Sequence, residues 1–318
     1  MATPLLSRAR VQNALPVMAL VVLTVIVGTI EPTFLAPANL LVVTADTMTL
    51  FLMASGVTFV IMLGCIDLSI QAVASMTSCI VAAMLAQYGF VAVPVAVLAG
   101  ALSGLLSGYV YVVLRIPSFI ATLAVSGVMT TVAYIASDTR SVPIPAEARD
   151  AYLFWATGRS LGVPHEIVVG LVVLVVLGGV LALTPFGRYV RAIGSQEQAV
   201  HASGIAVGRV KILAFALSGT MAGIAGVVMG ARLGSGSPTL ANEFLLPAIA
   251  CVIVGGTAIT GGVGSIWKTF IGALTIAVVR IGMTFLGVSV FAQQIVFGLI
   301  LVAAVALTMD RSKVAVVK

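Results

Sequence analysis

Charge is what this sequence has least of. Only 8% of its 318 residues are Asp, Glu, Lys or Arg, where an ordinary soluble domain carries roughly 25%. A soluble surface needs far more charge to stay solvated, so soluble two-domain architectures are disfavoured. Histidine occurs twice, at His165 and His201, too far apart to make a metal-ligand spacing. Cys65, Cys79 and Cys251 each lie in an apolar stretch. They read as small buried hydrophobes rather than a disulfide framework or a metal site. H-E-x-x-H, a G-x-S-x-G strand–turn–helix and an intramembrane carboxylate pair are all missing, which excludes the common enzyme machineries. "GGTAITGGVGSIWKTF" looks like a phosphate loop, but Trp267 stands where the loop requires Gly, and no strand precedes it. Its glycines fit close helix packing or a tight bend instead, with Thr257 and Thr260 placed to hydrogen-bond across helices.

What the chain does have is apolar sequence, 61% of it. A helix needs roughly 20 apolar residues to cross the hydrocarbon core. Ten candidate spans lie near 13–31, 47–64, 69–87, 91–114, 118–136, 166–184, 212–231, 246–263, 267–286 and 291–309. The first follows Ser7, Arg8 and Arg10 and could imitate a signal peptide. It is long and no small-x-small cleavage site follows, so it reads as a retained span. With the N-terminus inside, Arg8, Arg10, Arg115, Arg188, Arg191, Arg209, Lys211, Lys268, Arg311, Lys313 and Lys318 fall inside. Only Arg140, Arg149, Arg159 and Arg232 fall outside, and Arg280 stays in a span. That bias supports an all-α, polytopic transmembrane bundle of about ten spans, N-in and C-in. It also reads the net charge of +6 as membrane orientation rather than nucleic-acid binding. The chain is expected to form one membrane domain over 1–318. Its longest outer loop runs from Ser137 to His165, with room for one short surface helix. Its longest cytoplasmic loop occupies 185–211.

Inside that loop, "GSQEQAVHASGI" is polar in an apolar chain. Ser195 and Gln198 have capping-box spacing, and Gly204 fits a left-handed terminator. The two turns between them would present Ala199, Ala202 and Ser203 as a small-residue face, or form a solvated loop helix without a partner. In "GCIDLS", Gly64 and Ser69 suit a helix break, and Asp67 either lines a translocation path or caps the third span. Arg280 either snorkels outward or faces a wet cavity or dimer axis. Asn242 and Glu243, between spans seven and eight, suit an outer contact or a solvated turn. "VIMLGCIDLS" faintly echoes "VIVGGTAITG".

The polar loop resembles the cytoplasmic coupling segment of ABC-importer permeases, E-A-A-x-x-x-G, read here as Gln198-Ala199-Val200-x-x-x-Gly204. "LGCIDLSIQAVAS" resembles the G-G-I-D-L-S-V-G-S segment of the ribose/xylose/arabinose-type sugar permeases. "IPSFIATLAVSGVMTTVAYIASDTRSVPI", the stretch around the polar loop and "LLPAIACVIVGGTAITGGVGSIWKTFIGAL" are similar to that family too. The likeness covers roughly Val57 to Asp310. Departures are Cys65 and Gln71, each for Gly, and Val279-Arg280 where the family usually carries polar amides.

The resemblance implies the permease subunit of a bacterial inner-membrane importer for a monosaccharide or related polyol, not itself an enzyme. It further implies a cytoplasmic ATPase as the user of ATP, a periplasmic sugar-binding protein, and a second permease copy or paralogue. No cofactor is expected in this chain. ATPase coupling would fall to Glu197, Gln198, Ala199, Ala202, Ser203 and Gly204. The path would take Asp67, Ser69, Thr257, Thr260 and Arg280, and Asn242 and Glu243 would meet the binding protein. The alternatives are a permease for a branched-chain amino acid, nucleoside or autoinducer-type solute, or a stand-alone secondary transporter. The spans lack the ion-coupling acids such a transporter usually carries.

Overall fold

The computed structural model describes Pro4 to Thr308, with side chains from Pro16 to Ala306. Its helices are α1 (Pro4–Ile30), α2 (Pro37–Met62), α3 (Ile70–Tyr88), α4 (Ala92–Val113), α5 (Ser118–Ser137), α6 (Ala146–Tyr152), α7 (Phe154–Thr157), α8 (His165–Leu183), α9 (Pro185–Ala202), α10 (Val207–Leu233), α11 (Leu245–Val254), α12 (Ile266–Phe285) and α13 (Val290–Thr308). By length and composition, six stretches can cross a membrane: Pro37–Met62, Ile70–Val113, Ser118–Ser137, His165–Leu183, Val207–Leu233 and Ile266–Phe285. Pro16–Ile30, Asn242–Val254 and Val290–Ala306 are shorter apolar helices. The terminal cations Arg311, Lys313 and Lys318, and the side chains of Arg8 and Arg10, lie outside what is described.

Helix α2 is the axis of the bundle, buried along almost its whole length from Val43 to Met62. It packs on α10, α12, α11 and α8. Along α10, Ala74 and Ser78 of α3 meet Gly226 and Gly230 in parallel order. On another side of α10, Gly100, Gly104 and Gly108 of α4 meet Gly219, Phe215 and Ile212 in antiparallel order. The stretch Ile70–Val113 is therefore a helical hairpin that turns at Gly89. Glycine at every fourth position lets the α4 and α10 backbones touch, the usual solution where no hydrophobic effect draws helices together in lipid.

The span expected at 246–263 is corrected. Helix α11 has ten residues, about 15 Å of helix against a hydrocarbon core of roughly 30 Å. It stops at Gly255, and 255–265 is non-helical. Hydropathy is blind to this because the glycines that end the helix count as nearly neutral. The second span also starts earlier than expected, at Pro37, which draws Asp46 into the helix. The 137–165 loop holds two short helices, α6 and α7, instead of one. It is tied down by a two-residue pairing of β1 (Val142–Pro143) with β4 (Ser235–Gly236) and by a hairpin of β2 (Arg159–Ser160) with β3 (Val163–Pro164).

The faint echo is a real structural likeness. In α2, the Gly64 amide donates to Ile61 O at 2.8 Å and the Cys65 amide to Val60 O at 3.1 Å. In α11, the Gly256 amide donates to Ile253 O at 2.8 Å and the Thr257 amide to Val252 O at 3.1 Å. Each pair closes a helix on a left-handed glycine, Gly64 at φ 72° and Gly256 at φ 90°. Helices α2 and α11 run side by side in the same direction, because both are antiparallel to α12.

Candidate functional site

Three segments converge at one end of the bundle. They are the α2–α3 break (63–69), the 255–265 loop and the C-terminal half of α9. The Gly262 amide donates to Met62 O at 2.8 Å, and Gly194 of α9 lies so close to Met62 and Gly262 that a methyl group there would collide with their backbones.

The break exposes amides that a helix would satisfy, and neighbouring hydroxyls take them up. Ile66 N–H donates to Ser118 Oγ and Leu68 N–H to Thr122 Oγ1, both at 3.1 Å. Asp67 is 1% exposed. Its Oδ1 accepts from the Ser69 amide at 2.9 Å and the Ser69 hydroxyl at 2.6 Å, while Oδ2 accepts from Ser218 Oγ of α10 at 2.8 Å. Both carboxylate oxygens are thus engaged inside the protein. In this conformation Asp67 holds the start of α3 to α10 and presents no free oxygen to a void. Ser69 is equally buried. The expected cross-helix bonds of Thr257 and Thr260 do not form. The Thr257 hydroxyl is buried with no partner among the described residues, and Thr260 is exposed on the loop.

Helix α9 is capped by Thr184, whose hydroxyl oxygen accepts from the Gly187 amide at 3.3 Å. It breaks at Gln196, whose φ of −160° and ψ of 81° are extended. The expected capping box is corrected here. Ser195 belongs to the first segment, where its hydroxyl donates back to Arg191 O at 2.9 Å, and the extended Gln196 separates it from the segment it was expected to cap. The second segment runs from Glu197 to Ala202 and ends at Gly204, whose φ of 80° is the left-handed stop that the spacing predicts. Glu197, Gln198, Ala199, His201, Ala202, Ser203 and Gly204 are exposed, and Val200 alone points into the core. Glu197 reaches back to pair with Lys211 Nζ at 2.7 Å.

The opposite end carries a second polar cluster that the sequence reading did not assemble. Arg280 Nη2 pairs with Asp46 Oδ2 at 3.1 Å and lies 5.2 Å from the Phe244 ring centre. Arg232 also pairs with Asp46, and stands 3.9 Å from Glu166 Oε2. Helices α2, α8, α10 and α12 each supply one member. Asp46, Arg280 and Glu243 line a cavity of about 490 Å³ with Gln293, Gln294 and Phe297. Gln294 Nε2 donates to a Glu243 carboxylate oxygen, and Asn242 is exposed beside it. Arg280 therefore lines the cavity with its guanidinium paired to Asp46.

A bundle of apolar helices, six of them long enough to cross a membrane, is the architecture of a multi-pass membrane protein. The chain belongs to the family described as "Branched-chain amino acid transport system / permease component", whose pattern matches residues 39–305. It is 35% identical over 290 residues to the ribose import permease protein RbsC of Haemophilus influenzae, covering 90% of each chain. To the protein of that name from Bacillus subtilis it is 36% identical over 301 residues, 94% of this chain and 92% of that one. To the L-arabinose transport system permease protein AraH of Escherichia coli it is 37% identical over 201 residues, 63% and 60% of the two chains. No solved structure matches significantly. As a member of this family the chain is a transporter subunit of the inner membrane and not an enzyme.

Proposed function

We propose that this chain is the membrane-spanning subunit of an ATP-driven importer for a monosaccharide or related polyol. The observation that carries the reading is the exposed segment Glu197–Gly204, placed on the junction where α9 meets both helix breaks. Likeness to ribose and arabinose permeases supplies the substrate class. In this reading the α9 end is cytoplasmic and both termini are inside. Helix α11 and the 255–265 loop together traverse as the eighth apolar segment.

A cytoplasmic ATPase seats on Gln198, Ala199, Ala202 and Ser203, where small side chains allow close approach. That ATPase alone uses ATP, and this chain carries no cofactor. A second permease copy or paralogue completes the path. A periplasmic sugar-binding protein meets the opposite end near Asn242 and Glu243. ATP-driven closure of the ATPase pair moves the second segment of α9, and the bundle shifts between states that open to one side and then the other. Arg280, beside the 490 Å³ cavity, is the path residue this structure supports best. Asp67, Ser69, Thr257 and Thr260 serve by shaping the breaks.

The test is reconstitution with the ATPase and the solute receptor, followed by a panel of pentoses, hexoses and polyols. Sugar-stimulated ATP hydrolysis with uptake is expected. Uptake by the chain alone in liposomes would assign a secondary transporter instead.

A further inference from the structure

Lys211 is a lysine in an apolar helix, 7% exposed, and the mechanism above does not use it. A buried ammonium persists only where partners replace its water. Its two partners come from two different elements. Nζ donates to Glu197 Oε1 of the α9 second segment at 2.7 Å, and to the Tyr111 hydroxyl oxygen of α4 at 2.9 Å. It also lies 5.0 Å from the centre of the Tyr111 ring. The same Tyr111 oxygen accepts from the Cys65 thiol at 3.3 Å. Cys65 is in the α2–α3 break, two residues before Asp67, and Asp67 is tied to α10 through Ser218.

An unbroken line of contacts thus runs from the exposed partner-facing segment, through one lysine and one phenol, to the break in the central helix. The members of the line differ in freedom. The Glu197 side chain is 52% exposed, whereas that of Lys211 is 9% exposed. The α9 second segment hangs beyond the extended residue Gln196 and closes on Gly204, so it can move without unwinding the bundle. Any displacement that carries Glu197 away strands the Lys211 charge in apolar surroundings. Lys211 then follows its partner or seeks another, and either response alters the donors on the Tyr111 oxygen.

We propose that Lys211 is a positioning residue for transport: through Glu197 on one side and Tyr111 on the other, it transmits displacement of the α9 second segment to the Cys65–Ser69 break. The proposal rests on the assignment of that segment to the ATPase. It adds a route into the bundle that the exposed segment alone does not define.

Cys65 supplies the readout, because it is 3% exposed here and sits at the far end of the line. The complex of the full chain with its ATPase, in a Cys79→Ala, Cys251→Ala background, is treated with N-ethylmaleimide with and without ATP plus vanadate. Nucleotide is expected to change the Cys65 labelling rate by about fivefold or more, the low end of coupling between linked sites. Lys211→Met is expected to abolish that dependence with the ATPase still bound, and Lys211→Arg, which keeps the charge, to retain it. Glu197→Ala, at an exposed position, removes the acceptor of Lys211 and is expected to abolish it too, and serves if Lys211→Met fails to fold. Dependence that survives in Glu197→Ala or in a folded Lys211→Met overturns the relay. So does labelling that ignores nucleotide while the ATPase is bound, or loss of the ATPase from a folded Lys211→Met complex. These outcomes leave the coupling assignment in place. An ATPase that does not bind the unaltered chain overturns the coupling assignment and the relay together.

Discussion

Val200 is buried and its neighbours on the α9 second segment are not. In the E-A-A-x-x-x-G pattern that this segment resembles, Val200 stands where the pattern has Ala. The structure turns Val200 into the core, so the exposed face is made of Gln198, Ala199, Ala202 and Ser203. Ala199→Arg adds bulk and charge to that face without touching the core. It is expected to leave expression and melting unchanged while sugar-stimulated ATP hydrolysis is lost. Normal stimulation in the reconstituted variant would remove the docking assignment. Asp67 makes the opposite kind of residue-scale prediction. Asp67→Ala leaves the Ser69 amide, the Ser69 hydroxyl and the Ser218 hydroxyl without their acceptor. A cost of about 2–4 kcal/mol is expected, with a smaller one for Asp67→Asn, which keeps one acceptor oxygen. Melting of the detergent-solubilised protein decides this, and equal stability of Asp67→Ala and the unaltered chain would contradict the bonding described.

Among the described elements, α4 and α10 make the most extensive helix pairing, and glycine permits it. A methyl group added at Gly104 would run into the Phe215 carbonyl, whereas one added at Gly178 of α8 meets nothing within 4 Å. Gly104→Ala is therefore expected to force the helices apart at about 1–3 kcal/mol. Gly178→Ala is expected to be neutral or slightly stabilising, because alanine loses less backbone entropy in a helix than glycine does. Thermal melts of the two variants side by side check the contrast, and indistinguishable melts would refute it. The elements are also where the sequence is most and least informative. Long apolar runs mark α3, α4, α5, α8 and α10 within a few residues, since lipid demands about 20 such residues and little charge. The same rule misreads α11, because its run continues in apolar and glycine residues past the helix end. A better signal was available in the repeat of Val60–Ser69 at Val252–Gly261. Its matching glycines, Gly64 and Gly256, end both helices in the same way. The Gly100, Gly104, Gly108 series is equally legible in the sequence.

At the scale of the whole molecule, the two ends are built differently. The α9 end is a junction of breaks held by backbone and hydroxyl bonds, the Asp67 carboxylate and one ion pair, Glu197–Lys211, whereas the far end is held by a cluster of ions. That ionic cluster was illegible in sequence, for a physical reason. An acid in a helix reads as an end marker unless its partners are known, and those of Asp46 lie on α10 and α12, with Arg280 234 residues away. Because Asp46 bridges two arginines, the members are not equivalent. Asp46→Asn removes the carboxylate that Arg232 and Arg280 share, and leaves Arg232 the longer contact to Glu166 at 3.9 Å. Arg280→Gln removes one cation, and Asp46 keeps Arg232. With Asp46 and both arginine side chains 19–34% exposed, water offsets part of each loss. A cost of about 1–3 kcal/mol is expected for Asp46→Asn and less than about 1 kcal/mol for Arg280→Gln. The ordering follows from the bridge alone, so melts of the single variants and of the double variant test it. The double variant is expected to lie above the Asp46→Asn single in stability, since removing Arg280 relieves the repulsion that Asp46→Asn creates. A double variant less stable than either single would show that each arginine is held by something other than the shared carboxylate.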